Sequence, residues 1–347
     1  MRKILLVLCV SALAAAQNQP ENQPLIRESV QVVQAPVTVL DKSGEAVTGL
    51  TQTDFHLLDN GKPQKITEDV ALHPLSIVAV IQANNDVEAI LPSVKRLGSV
   101  FENLVVGENG EIAVIGFDHR AQVLSDFTQD TAQIDAAFKK LRPGSYTAAL
   151  NDATMKAINM LKLRPADRHR VLIQISENRD KGSEINVREV LTAADFASVQ
   201  IYSVNVSQLI AALTSKAMPN RPSPIPPEAQ WNPAGVIGTP TTTAQMNMGN
   251  WVPALKDIFN AAKGTVVPDP LDVYTRYTGG REYGFKNEKT LDRDVARIGY
   301  ELHGQYVLTY RPNNRDEAGF HHITVEVDRP NLVVRTRDGY WIAGKPQ

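Results

Sequence analysis

Gln82, Asn84 and Asp86 occupy alternate positions directly after an apolar run, Ile77 to Ile81, in the stretch SIVAVIQANNDVEA. Thr147 lies in GSYTAALNDA, ahead of a helix-like pattern, and Glu177 in IQISENRD, just after a second apolar run. All five carry side-chain oxygens. In an open α/β sheet, ligands bind in the crevice beyond the carboxyl ends of the strands, where these residues are expected. Their spacing therefore reads as one polar ligand site assembled from three loops.

Other chemistries find little support. The only cysteine, Cys9, lies in an N-terminal segment expected to be removed, which excludes thiol catalysis, disulfides and cysteine metal sites in the mature chain. There is no G-x-S-x-G, no phosphate-binding G-x-x-x-x-G-K-[ST] and no H-E-x-x-H. His119 and the His321-His322 pair have no second ligand at metal spacing, and neighbours on a strand face opposite sides. They are expected to be solvated or partly packed. Asp152 and Asp180 read as helix-start and loop charges. The sequence TGGR at 278–281 reads as a tight turn rather than a phosphate nest.

The elements that must position the oxygens follow from periodicity. The 347 residues are 43% hydrophobic and 21% charged, enough for about two ordinary globular domains. The net charge of −2, with no basic stripe, argues against nucleic acid as partner. Arg2 and Lys3, the apolar Ile4 to Leu13, and Ala14-Ala15-Ala16 read as a signal peptide over 1–16. A polar leader follows at 17–28, and no later stretch is apolar enough to span a bilayer. The expected location is outside the cytoplasm, periplasmic or secreted.

Residues 29–72 alternate with period two and contain Asn60-Gly61, a strong hairpin signal. From residue 73 continuous apolar runs alternate with helical patterns, which predicts a parallel sheet covered on both faces. Pro92 should kink the helix after Asp86 or delay its start. A Pro-rich segment at about 207–250 interrupts the rhythm and, by its position after a strand, should lie beside the polar site. Residues 304–347 are strand-like again. Neither flank supplies enough strands for a stable sheet of its own, so the two are expected to form one β-sandwich around an inserted domain at 73–303.

The order of these features resembles the von Willebrand factor type A domain and, more closely, bacterial secreted proteins with a VWFA-related domain. The resemblance rests on VTVLDKSGEAVTGLTQTDFHLLDNGKPQ at 37–64, TGGR at 278–281, QYVLTY at 305–310 and RDGYW at 337–341. It implies a von Willebrand A-type, Rossmann-like doubly wound sheet. It also implies a metal-ion-dependent adhesion site, in which a hard divalent ion takes oxygen ligands. Asn84, Asp86, Thr147 and Glu177 fall at ligand positions of that site. Gln82 replaces its leading aspartate, Asn84 and Asp86 replace its two serines, and Glu177 replaces its later aspartate.

Two readings follow from those departures. Either a rearranged site holds Mg2+, Mn2+ or Ca2+ weakly, or the site is degenerate and holds none, with Asp86 and Thr147 capping helices. The expected function is an exported, non-enzymatic adhesion or scaffold module whose partner is another protein or an extracellular matrix component. A divalent-metal-dependent adhesion protein is the first alternative. A metal-assisted hydrolase with Asp86 or Glu177 as base is the second, and it lacks a recognisable nucleophile.

Overall fold

The central strand is β4 (Leu75–Gln82), and all eight of its residues are buried. Its side chains serve two layers by alternation. Ile77, Ala79 and Ile81 pack on one face and Val78 and Val80 on the other. In this computed structural model the described residues are 32–43, 45–67, 73–105, 110–211, 258, 269–284 and 290–342. The expected signal peptide and leader, and the Pro-rich segment beyond residue 211, lie outside them.

Five further strands complete the sheet: β5 (Glu111–Phe117), β6 (Ala121–Thr128), β7 (His169–Ser176), β8 (Val199–Asn205) and β9 (Glu282–Gly284). Their order is β6-β5-β4-β7-β8-β9, with β6 alone antiparallel to its neighbour. The chain moves outward from β4 on one side and from β7 on the other. The switch point, where a crevice opens, is therefore the carboxyl edge between β4 and β7.

Helices α1 (Leu91–Arg96), α2 (Gly98–Val105), α3 (Thr131–Lys139) and α7 (Leu291–His303) cover one face. Phe101, Ile134, Phe138, Val295 and Ile298 form their inner surface. Helices α4 (Leu150–Lys162), α5 (Val187–Ala197) and α6 (Pro270–Thr278) cover the other. Each fully buried Ile, Leu or Phe stabilises the fold by about 1.5–3 kcal/mol relative to exposure. Pro92 acts as a late start: residues 85–90 form a 3-10 segment, and the α-helix begins at Leu91 with proline in its first turn.

Two antiparallel sheets are built from both flanks. Strand β1 (Val33–Leu40) lies between β10 (Tyr306–Tyr310) and β12 (Val333–Thr336). Strands β2 (Phe55–Asp59) and β3 (Lys62–Pro63) form the expected hairpin, with Asn60 at φ 49° and Gly61 at φ 75°. β2 pairs with β11 (Gly319–Val327), which in turn pairs with β13 (Gly339–Ile342). The inner faces share one core, including Val37, Val39, Leu57, Tyr306, Leu308 and Val325.

A charged network is buried in that core. His321 Nδ1 lies 2.7 Å from Asp59 Oδ1, and its Nε2 lies 2.7 Å from the Glu317 carbonyl. Both ring nitrogens face acceptors, so both donate and the imidazole is an imidazolium. Tyr310 and Tyr340 donate to Asp59 Oδ2 at 2.9 and 2.7 Å, and Asn314 Nδ2 to Oδ1 at 3.0 Å. Burial opposes ionisation of both partners. The hydrogen bonds prevail, holding Asp59 below the usual carboxylate range and His321 above the usual imidazole value. The expectation of solvated or partly packed histidines is corrected here: His321 is 0% exposed, and its partner comes from a strand 262 residues away. His322, its neighbour on β11, faces solvent.

The TGGR stretch is a turn. Gly279 adopts φ 80° and ends α6 in the left-handed conformation. Gly280 passes so close to β8 that a Cβ there would stand 1.9 Å from the Ile201 carbonyl oxygen. Arg337 of RDGYW pairs with Asp195 of α5, and its guanidinium lies 5.6 Å from the Tyr277 ring centre. The TGGR and RDGYW motifs thus meet at the end of α6, where Gly279 packs against Arg337.

Candidate functional site

Gln82 closes β4 and is 3% exposed, while Glu177 follows β7 directly. Parallel pairing of the two strands brings these ends together. The Gln82 amide uses both of its ends: Oε1 accepts from the Glu177 backbone N–H at 2.8 Å. Its Nε2 donates to Glu177 Oε2 at 3.0 Å and to Asn84 Oδ1 at 2.8 Å. Asn84 is 0% exposed and donates from Nδ2 to the Tyr146 carbonyl at 3.3 Å.

The backbone holds the loops in place. The Ala83 N–H donates to the Phe117 carbonyl, and the Gly144 N–H to the Ala83 carbonyl, both at 2.7 Å. The Asn85 N–H reaches the Ser145 carbonyl at 3.0 Å. The loop after β4 is thereby tied to β5 and to the 141–149 loop.

Asp86 points to the third loop, where its Oδ2 pairs with the Lys181 ammonium. The same ammonium lies 3.8 Å from Glu177 Oε2. Lys181 is fixed at its backbone, its N–H donating to the Ala148 carbonyl at 2.9 Å. Thr147 is exposed, and its Oγ1 lies 3.3 Å from Ser145 Oγ. The structure therefore joins Gln82, Asn84 and Glu177 directly, and adds Asp86 through Lys181. Thr147 sits on the neighbouring loop, bonded to Ser145.

The expected capping roles are corrected. The 3-10 segment starts after Asn84, with Asp86 inside its first turn. Helix α4 starts after Ala149, which supplies no side-chain cap. Its first amides are met from the loop after β7: Leu150 N–H by Asp180 Oδ1 at 2.8 Å, and Asn151 N–H by Ser183 Oγ at 2.9 Å. Asp152 accepts from the Ile185 N–H at 3.0 Å. Asp180 and Asp152 thus have the helix-start and loop roles their positions suggest.

Sequence reasoning missed three parts of this edge. Lys181 is one; its signal was a cation four residues after Glu177. The second is Asp118, which accepts from the Ser145 N–H at 2.9 Å and lies 3.0 Å from His119 Nδ1. Burial raises Asp118, but those bonds and the Arg120 N–H hold it below the usual carboxylate range. The third is an acidic pair beyond β8. Asp269 accepts from Asn178 Nδ2 at 2.9 Å, and Glu282 from Asn205 Nδ2 at 2.7 Å. Burial, reinforced by the charge of Asp269, pushes Glu282 up to about 7. Burial likewise raises Asp269.

Beside the 141–149 loop an open cleft of about 240 Å³ runs between β5, β6 and the end of α3. Arg120, Lys140 and Arg142 border it, with Phe117 and Leu141 at its apolar floor. Tyr146 stands on the same loop and is 78% exposed.

A divalent ion needs oxygen lone pairs converging on one point. Here Glu177 Oε2 and Asn84 Oδ1 face the N–H groups of Gln82, and an ammonium stands between Asp86 and Glu177. These residues, as placed, do not fit such an ion. Among the described residues no three His, Cys, Asp or Glu side chains converge as a metal set. Also among them, no helix is long and apolar enough to cross a membrane.

No protein-family model and no curated protein matches the chain. Among solved structures, it is similar to a von Willebrand factor type A protein from Catenulispora acidiphila. That match has 9% identity and a TM-score of 0.45, and covers 92% of this chain and 67% of that one. It is similar also to the conserved hypothetical protein BatB from Bacteroides thetaiotaomicron, at 14% identity and a TM-score of 0.40, over 66% and 98% of the two chains. A third is proximal thread matrix protein 1 from the mussel byssus, at 12% identity and a TM-score of 0.41, over 70% and 49%. The sheet order supplies the fold on its own terms. With β4 central, one antiparallel edge, helices on both faces and two added antiparallel sheets, the chain has a von Willebrand A-type fold.

Proposed function

We propose that this chain is an exported, non-enzymatic protein-binding module. It acts through the carboxyl-edge face of its central sheet, and residues 73–303 are the domain that carries that face. The observation that supports this most is the pairing of exposed Tyr146 with the adjoining cleft. A large exposed aromatic residue on the loop that borders a cleft lined by Arg120, Lys140 and Arg142 against the single carboxylate of Asp118 is suited to a protein segment with a net excess of carboxylates. The partner is another protein or an extracellular matrix component of that chemistry. A binding role rather than a hydrolytic one is supported by the engagement of both candidate bases, Asp86 by Lys181 and Glu177 by Gln82. The adhesion site implied by the sequence resemblance is, in this reading, degenerate.

The test is capture of partners from the envelope fraction, with and without EDTA, by the parent chain and by Tyr146→Ala and Arg142→Glu. The reading expects a partner that survives EDTA and is lost in both variants. A partner retained by both would move binding elsewhere, for instance to the β-sandwich. Turnover of a phosphoester or peptide panel that disappears in Asp86→Asn would establish the hydrolase instead.

A further inference from the structure

We infer that Lys181 is the resident cation of this site, an ammonium tethered where a divalent ion would otherwise balance the charge of Asp86 and Glu177. Two carboxylates from different loops need a positive partner when brought together at a partly buried edge. Lys181 meets both, pairing with Asp86 and lying 3.8 Å from Glu177 Oε2. The fold sets the backbone from which this side chain reaches both carboxylates. The backbone N–H of Lys181 is bonded to the Ala148 carbonyl, and Asp180 beside it holds the start of α4.

Gln82 completes the substitution. Where an acid would add negative charge, its Nε2 presents two N–H groups, one to Glu177 and one to Asn84. Those donors satisfy the oxygens that would otherwise face an ion. The two changes act in the same direction: one supplies a positive charge, and the other removes the need for a second. Lysine suits the role because it is a compact point charge with three donors and no geometric demand comparable to an octahedral shell. The three loops are therefore held together with no ion.

This inference does not depend on the face binding a protein, and its test reads ion binding alone. Mn2+ and Mg2+ are titrated into the full mature chain by calorimetry, with melting curves in parallel. The parent chain is expected to give no heat of binding to millimolar concentrations and no ion-dependent change in Tm. Lys181→Met combined with Gln82→Asp removes the ammonium and restores the acid. That variant is expected to bind Mn2+ at millimolar concentration or tighter and to gain Tm when it does. Ion binding by the parent chain that is lost in Glu177→Ala would overturn the inference. So would a cooperatively folded double variant that binds no ion.

If the double variant does not melt cooperatively, reductive methylation of the parent chain decides. Lys181 should be modified several-fold more slowly than Lys140, and Asp86→Asn should abolish that protection. Equal rates for the two lysines would overturn the inference.

Discussion

Replacing Glu282 by Gln should remove a pH dependence from the stability of this chain. In the folded chain burial, aided by the charge of Asp269, pushes Glu282 from 4.5 up to about 7. A folded-state value above the unfolded one means that the folded chain holds the proton more tightly. The stabilisation is complete below about 4.5 and is lost as pH rises through about 7. At about 1.36 kcal/mol per pH unit, that rise corresponds to an upper limit of about 3 kcal/mol. Glu282 keeps some contact with water, and screening reduces the effect to about 1.5 kcal/mol. At ~2–4 °C per kcal/mol for a large domain, this is roughly 3–6 °C in Tm. The assay is differential scanning fluorimetry of parent and variant from pH 4.5 to 8. The difference between the two curves cancels the titrating groups that do not interact with Glu282. The parent should lose ground to Glu282→Gln as pH rises, and Asp269→Asn should shift that loss to lower pH, because Glu282 ionises more easily once the neighbouring negative charge is gone. Parallel curves for parent and Glu282→Gln would refute the reasoning.

Three further outcomes can be measured. Asp59→Asn leaves the His321 imidazolium buried without its counter-charge and should cost about 3–5 kcal/mol in urea unfolding; a cost near zero would show that the network contributes nothing to folding. Gly280→Ala places a methyl group against the Ile201 carbonyl and should destabilise by about 2 kcal/mol or more, with faster amide exchange confined to β8 and β9. Asp180→Ala removes the acceptor for the first amide of α4 and should cost about 1 kcal/mol, read from the same unfolding curves.

The placement of the candidate site was legible because an apolar strand that stops in polar side chains marks the carboxyl edge. The pairing of β4 with β7 then brings Gln82 and Glu177 together. What those residues do was less legible. Lys181 belongs to a loop with no periodicity, and its role depends on the contact between its backbone and Ala148. Asp86 and Thr147 looked like caps by residue type. Pro92 shifts the α-helix start to Leu91, and the cap of α4 comes from another loop. His321 looked ordinary because its carboxylate lies 262 residues earlier. The closing stretch NLVVRTRDGYW, strand-like throughout, is two strands in different sheets, with Arg337 turned inward to Asp195 between them.

The position of β1 between β10 and β12 has a kinetic consequence. Every strand of the central sheet has been made once Gly284 emerges, whereas Leu40 waits for Val333. At ~5–20 residues per second of synthesis, that wait is roughly 15–60 s. Until β10 is made Val33, Ala35 and Val37 have no partner strand, and Val39 waits longer, for β12; all four are buried in the finished protein. Closure of the sandwich therefore cannot precede synthesis of the last strands. A chain stopped short of β10 would present β1 as an open, apolar edge able to recruit other unfinished chains.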